Sequence, residues 1–308
     1  MTLSLSYDIL SFENGGEGLL YELKNGMMTY RFTEIGAELI SAKDKEGFEY
    51  IWKGDESIWS SHSPLLFPIC GRVKSGKYTY QGKEYALGCH GFFHSSSPEL
   101  IFRDETTLIF TLTESQSTLE VYPFRFSITL KYTAEGNALT VSAVIKNTGS
   151  DVLPFMYGGH PGFALPLEAG LKFNDHSIDL GNDTLTLHKL CGGPFVGSCE
   201  SFYAKGGILP LDAEMIKELD TVIFSDFGKS VRLFSDRSER SVSMSFGEEF
   251  EYLCLWRADH KDADYICIEP WSGVPKDGVS DECFETKADM IRLNSGEEKI
   301  FTYRMQFN

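Results

Sequence analysis

The stretch Phe124-Arg125-Phe126-Ser127-Ile128-Thr129-Leu130-Lys131-Tyr132 alternates apolar and polar residues without interruption. A period of two places successive side chains on opposite faces, so this segment predicts a strand with one face buried and one wet. Ala134-Glu135-Gly136-Asn137 then supplies turn residues, and Leu139, Val141, Ala143 and Ile145 resume the alternation. Together they predict an antiparallel hairpin. Asn25-Gly26 and Gln81-Gly82 mark two tighter hairpins, because glycine tolerates the positive φ that such turns demand. Further strand-like runs lie at Leu108–Leu112, Val222–Phe224, Val231–Phe234, Val242–Phe246, Tyr252–Trp256, Tyr265–Ile268 and Lys299–Phe307. The helical candidates, Ala213–Leu219 and Glu56–Trp59, are short. Strands do not alternate with long helices, which argues against a doubly wound sheet. Neither linker-like stretches nor fixed-period repeats divide the sequence. The expectation is an all-β chain, with residues 1–308 forming a single large antiparallel domain of two packed sheets.

The chain is 42% hydrophobic and 24% charged, enough to bury a sizeable core. Its 28 Lys and Arg against 45 Asp and Glu give a net charge of -17. So acidic a surface repels nucleic-acid phosphates and anionic lipid headgroups; no nucleic-acid partner is expected. No run approaches the roughly 18 apolar residues of a membrane helix, and no membrane association is expected either. The opening MTLSLSYDILSF has no basic residue ahead of its apolar part and carries Asp8 within it, unlike a signal peptide. The seven cysteines contain no CxxC pair, so a zinc ribbon or thioredoxin-type site is not indicated. Cys254 and Cys267 fall in strand-like runs as small core residues. A reducing cytoplasm is the expected compartment. GxGxxG, GxSxG, HExxH and P-loop patterns are absent.

On an all-β scaffold, chemistry comes from a concave sheet face or from the loops at its rim. Ionisable residues that interrupt apolar segments are therefore the candidates. Arg72 ends the run Leu65-Leu66-Phe67-Pro68-Ile69-Cys70-Gly71, and His90 follows after a hairpin in Gly88-Cys89-His90-Gly91-Phe92-Phe93-His94. Their plain alternatives are a strand-end charge and a turn residue. His160 is held between glycines and Pro161 inside Leu153–Leu165, a stiff and crowded setting, though a core histidine can simply be a satisfied polar group. Glu269 ends the run Tyr265-Ile266-Cys267-Ile268 and is followed by Pro270-Trp271. An unpaired carboxyl in such surroundings has a raised pKa, as a general base near neutrality requires; a solvated strand-end glutamate is the alternative. Asp259-His260-Lys261-Asp262-Ala263-Asp264 reads as a hydrophilic turn rather than a cation site.

The ordered set CGR (70–72), HGF (90–92), GGHPGFALPL (158–167), LDTVIF (219–224) and IEPWSGV (268–274) resembles the aldose 1-epimerase family, the galactose mutarotases. It is most similar to the short lacX-like branch, which also contains hexose-6-phosphate epimerases. Weaker likeness in the opening strands and in Leu293-Asn294-Ser295-Gly296-Glu297 extends the match to nearly the whole chain. The resemblance implies a β-supersandwich with a sugar cleft on a concave face. It implies His160 as general acid and Glu269 as general base, with Arg72 and His90 hydrogen-bonding sugar oxygens and Asp220 gripping a ring hydroxyl. One departure stands out. Where lacX-like proteins read HGFAR, this chain has His90-Gly91-Phe92-Phe93-His94, so His94 replaces an arginine.

Exchange of α and β anomers needs the C1 hydroxyl deprotonated and the ring oxygen O5 protonated, and both transfers reverse on closure. One carboxylate and one protonated imidazole suffice, so no metal and no cofactor is expected, and the partner is a small-molecule sugar. A charged His160 near neutrality requires a neighbouring carboxylate or carbonyl. Two other functions stay open: a hexose-phosphate 1-epimerase, for which Lys74 and Lys77 are the only cations near Arg72 in sequence, and a carbohydrate-binding protein without turnover. Oligomeric state is not encoded in these patterns.

Overall fold

In the computed structural model, residues 20–191, 195–276 and 282–308 are described. The expected hairpin is present, with strands Phe126–Glu135 and Ala138–Asn147 in the register Leu130↔Ala143. Phe126, Ile128, Leu130, Tyr132 and Ala134 are buried while the residues between them face outward, as the period of two requires. The hairpin sits inside a nine-stranded antiparallel sheet. Its order runs Ile208–Pro210, Ser177–Asp179, Ser230–Phe234, Ser241–Phe246, Glu298–Phe307, Ala138–Asn147, Phe126–Glu135, Thr107–Thr113, Glu99–Arg103.

An eight-stranded sheet lies against it. Phe195–Tyr203, Thr184–Cys191, Val222–Ser225, Tyr252–Trp256, Tyr265–Trp271, Gly158–Gly159 and Leu65–Leu66 follow in order, and Gly162–Ala164 also pairs with Tyr265–Trp271. Aromatic side chains tie the nine-stranded sheet to the segments that lead into the eight-stranded one: Phe301 meets Phe155 and Tyr157, and Tyr303 meets Phe250. A Cβ on Gly159 would lie 2.8 Å from the Tyr303 hydroxyl. Glycine therefore lets the chain just before His160 settle directly onto the opposing sheet.

The strand Tyr265–Trp271 is buried along its whole length. Ile266 and Ile268 belong to the main core between the sheets, while Tyr265 and Cys267 join a second, smaller cluster with Trp52, Trp59 and Trp256. Alternation thus points Tyr265, Cys267 and Glu269 to the other side of the sheet, while Trp271 at the strand end still packs with the main core. The helix Ala213–Leu219 forms as expected, its N-terminus capped by the Asp212 side chain. The segment Glu56–Trp59 does not form a helix. Asp55 accepts from Ser57 and bridges to Trp59, closing a turn instead, since an aspartate that binds its own backbone two residues on favours a turn.

Candidate active site

A cavity of about 480 Å³ opens on the face to which Glu269 points, within the range of small-molecule clefts. The sequence candidates Arg72, His90, His160, Asp220 and Glu269 all line it. They arrive from loops and strands far apart in the chain, and the eight-stranded sheet brings them together.

His160 Nε2 and Glu269 Oε2 lie 3.2 Å apart, with both side chains almost wholly buried. Trp271 Nε1 donates to the same Oε2 at 3.0 Å. Burial pushes the Glu269 carboxyl well above its usual range, partly opposed by that Trp271 bond. Burial also pushes His160 down to about 3, with the nearby His94 adding to the fall. Both shifts disfavour charge, so the resting pair is uncharged, with one proton between Oε2 and Nε2. The carboxyl group that a charged His160 would require stands beside it, while burial opposes the charge.

His90 is held by a clasp between two loops. The Gly71 N–H donates to His90 Nδ1 at 3.1 Å, and the His90 N–H donates to the Gly71 carbonyl at 2.7 Å. Because Nδ1 accepts, the ring is neutral and carries its proton on Nε2, free to donate. Burial holds His90 well below the ordinary imidazole value, helped by His160, His94 and Arg72. Gly91 follows with φ +74, and a Cβ there would run into the Phe67 carbonyl. Only glycine fits this crossing of the two loops.

Asp220 caps the C-terminal end of Ala213–Leu219 with φ 61 and ψ -61, and the Thr221 N–H donates to the Leu219 carbonyl at 2.7 Å. This is a γ-turn, a strained conformation for a residue with a Cβ. The strain aims an exposed carboxylate at the cavity mouth. Arg72 is exposed at the same cavity and forms no hydrogen bond or ion pair with another described residue.

Of the aromatic walls, sequence reasoning singled out Trp271 as a surface for a pyranose but missed Trp59 and Trp256. Trp59 and Trp256 flank the His160 ring at 5.1 and 5.7 Å between centroids, and Trp271 stands 5.7 Å from His90. Flat aromatic faces suit the C–H face of a pyranose. His94, flagged as the departure in its motif, also lines the cavity, and its Nδ1 is buried without a partner among the described residues. Burial lowers its pKa too. Lys74 and Lys77 do not line the cavity, and Lys77 is paired with Glu84 at 2.6 Å.

The Asp259–Asp264 turn is what the sequence suggested: Asp259 pairs with Lys217 and Asp262 with Lys261, all in solvent. Among the described residues, the side chains spaced to hold a metal are His160, Cys267 and Glu269.

Comparison with known proteins gives a consistent picture. The family model described as aldose 1-epimerase matches residues 19–306. The chromosomally encoded protein LacX of Lactococcus lactis is 27% identical over 289 residues, covering 88% of this chain and 94% of its own. A galactose mutarotase related enzyme from Lactobacillus acidophilus superposes with a TM-score of 0.88 at 29% identity, covering 94% of this chain and 97% of its own. A galactose mutarotase-like protein from Lactobacillus casei gives 0.86 at 26% identity, covering 94% and 100%.

Proposed function

Because the chain belongs to the aldose 1-epimerase family, we propose that it interconverts the α and β anomers of an uncharged hexose or a closely related sugar. The observation that carries this reading is the buried His160–Glu269 pair, 3.2 Å apart on the wall of a cavity of monosaccharide size.

In the proposed reaction Glu269 takes the proton from the C1 hydroxyl while the proton held on His160 passes to O5, and the C1–O5 bond breaks. The open-chain aldehyde turns about C1–C2, and the ring closes with both transfers reversed. The pair starts and ends with one proton, so neither water nor a cofactor is consumed. A sugar seated in the cavity brings hydroxyl groups that solvate the two charges. Its arrival shifts the shared proton toward His160 and readies Glu269 as base. His90 Nε2–H donates to one sugar oxygen, Arg72 to another, and Asp220 accepts from a hydroxyl at the cavity mouth. Each well-placed proton transfer contributes on the order of 10²–10⁴ in rate.

The lining favours a neutral sugar over a sugar phosphate. Arg72 is the permanent cation among the described lining residues, and Asp220 stands at the same cavity. Burial keeps His90, His94 and His160 uncharged near neutrality, so they suit hydroxyl groups better than a dianion.

The test is polarimetry on freshly dissolved α-D-glucose and α-D-galactose. The expected result is an approach to anomeric equilibrium faster than the spontaneous rate and proportional to protein concentration. Sugar binding without such acceleration would replace this reading with that of a non-catalytic carbohydrate binder.

A further inference from the structure

A third donor sits beside the acid–base pair. Cys267 precedes Glu269 by two residues on the same face of the strand Tyr265–Trp271 and is fully buried. One donor atom each from His160, Cys267 and Glu269 lies within 4.8 Å of the other two. The His160–Glu269 edge, at 3.2 Å, lies just short of the roughly 3.3–3.8 Å between ligands of a tetrahedral zinc with bonds of about 2.0–2.3 Å. The longer edges close with side-chain shifts of about 1 Å. His160 Nδ1 is buried without a hydrogen-bond partner among the described residues, so the ring can keep its proton there and leave the Nε2 lone pair for an ion. His160 and Glu269 line the cavity, which gives an ion its way in and leaves a fourth position for water. Thiolate, imidazole and carboxylate together select zinc-class ions over magnesium or calcium.

We propose that His160, Cys267 and Glu269 take up one zinc-class divalent cation, and that the ion switches the site off. Binding forms bonds to an imidazole nitrogen, to Sγ and to a carboxylate oxygen. The Sγ–H proton and the proton shared by the pair leave to solvent, so uptake weakens as the medium becomes acidic. The bound ion holds both proton-carrying groups and occupies the place of C1 and its oxygens. The switching-off rests on the acid–base reading above; the uptake does not.

The test uses the full chain titrated with zinc sulfate against a chromophoric chelator, alongside Cys267→Ser and Cys267→Ala. Neither replacement is larger than cysteine, and thermal midpoints without metal check that both variants fold. Wild type is expected to bind one equivalent. Each variant is expected to lose more affinity than the roughly 10–100-fold that removal of an outer partner costs. Cobalt(II) is expected to give a thiolate charge-transfer band in wild type that Cys267→Ser lacks. In the polarimetric assay, zinc is expected to inhibit wild type over the same concentration range and to be reversed by EDTA, while Cys267→Ser turns over normally and ignores zinc. Absence of stoichiometric uptake by wild type, or equal affinity in a well-folded Cys267→Ser, overturns the site. If the chain anomerises no sugar, the proposed function fails while the titration and the cobalt spectrum still decide the metal site.

Discussion

Replacing Glu269 by glutamine separates chemistry from architecture. The residue is 1% exposed, and glutamine matches its length and shape. The glutamine carbonyl can accept the Trp271 Nε1–H bond that Oε2 now receives at 3.0 Å, and its amide can face His160. Removing the ionisable group also lifts a desolvation cost, because burial already pushes Glu269 well above the usual carboxylate range. Thermal stability is therefore expected to hold or to rise slightly. Catalysis, by contrast, loses its base. A single general base contributes about 10²–10⁴ in rate, which at 1.36 kcal/mol per decade is roughly 3–5 kcal/mol of barrier. The loss is expected in kcat, with KM within a few-fold of wild type, because the sugar contacts proposed for Arg72, His90 and Asp220 remain. Polarimetry on fresh α-D-galactose, with the spontaneous rate subtracted, measures it. A Glu269→Gln protein that folds normally and turns over within threefold of wild type would falsify the assignment of the base. A variant that loses activity only because its melting point collapses would move Glu269 to a structural role.

The pH profile follows from the same pair. A second proton must enter a site where burial has pushed His160 from 6.5 to about 3, so the acid limb of kcat/KM is expected well below an ordinary imidazole titration. Loss of the shared proton is hindered by the raised Glu269, so the alkaline limb lies above the ordinary carboxylate range. A plateau through pH 5–7 is the expected result, and a limb centred near 6.5 would refute it. Trp271→Phe deletes the one hydrogen bond that lowers Glu269 and is expected to move the alkaline limb upward by about one to two units, given roughly 1.5–3 kcal/mol for a bond to a charged group; an unmoved limb would contradict this. Gly91→Ala forces a Cβ against the Phe67 carbonyl at φ +74. Left-handed strain alone costs roughly 1–3 kcal/mol, so urea unfolding should show at least that loss, and an unchanged midpoint would refute the clasp.

The hairpin 126–147 was legible because each apolar residue of its alternation faces the main core. His160 and Glu269 were legible because an ionisable group inside an apolar run has few benign explanations, and the family likeness joined them. What sequence could not convey is proximity. Trp59 comes from the turn misread as a helix, and Trp256 from the end of a buried strand; neither pattern says that both flank His160. The hairpin Thr184–Cys191 with Phe195–Tyr203 escaped notice because its second strand is largely exposed and its register slips between Lys189 and Leu190. Its alternation is therefore weak.

The chain has four tryptophans, and three of them, Trp59, Trp256 and Trp271, line the cavity that holds His160 and Glu269. The fourth, Trp52, donates its indole N–H to the Trp59 carbonyl at 2.8 Å. Nearly all the ultraviolet emission of this protein therefore originates around that cavity, and an occupant that displaces water from those indoles changes their surroundings together. The molecule carries its own optical reporter of occupancy, one that works without labels and remains readable in variants whose chemistry has been abolished.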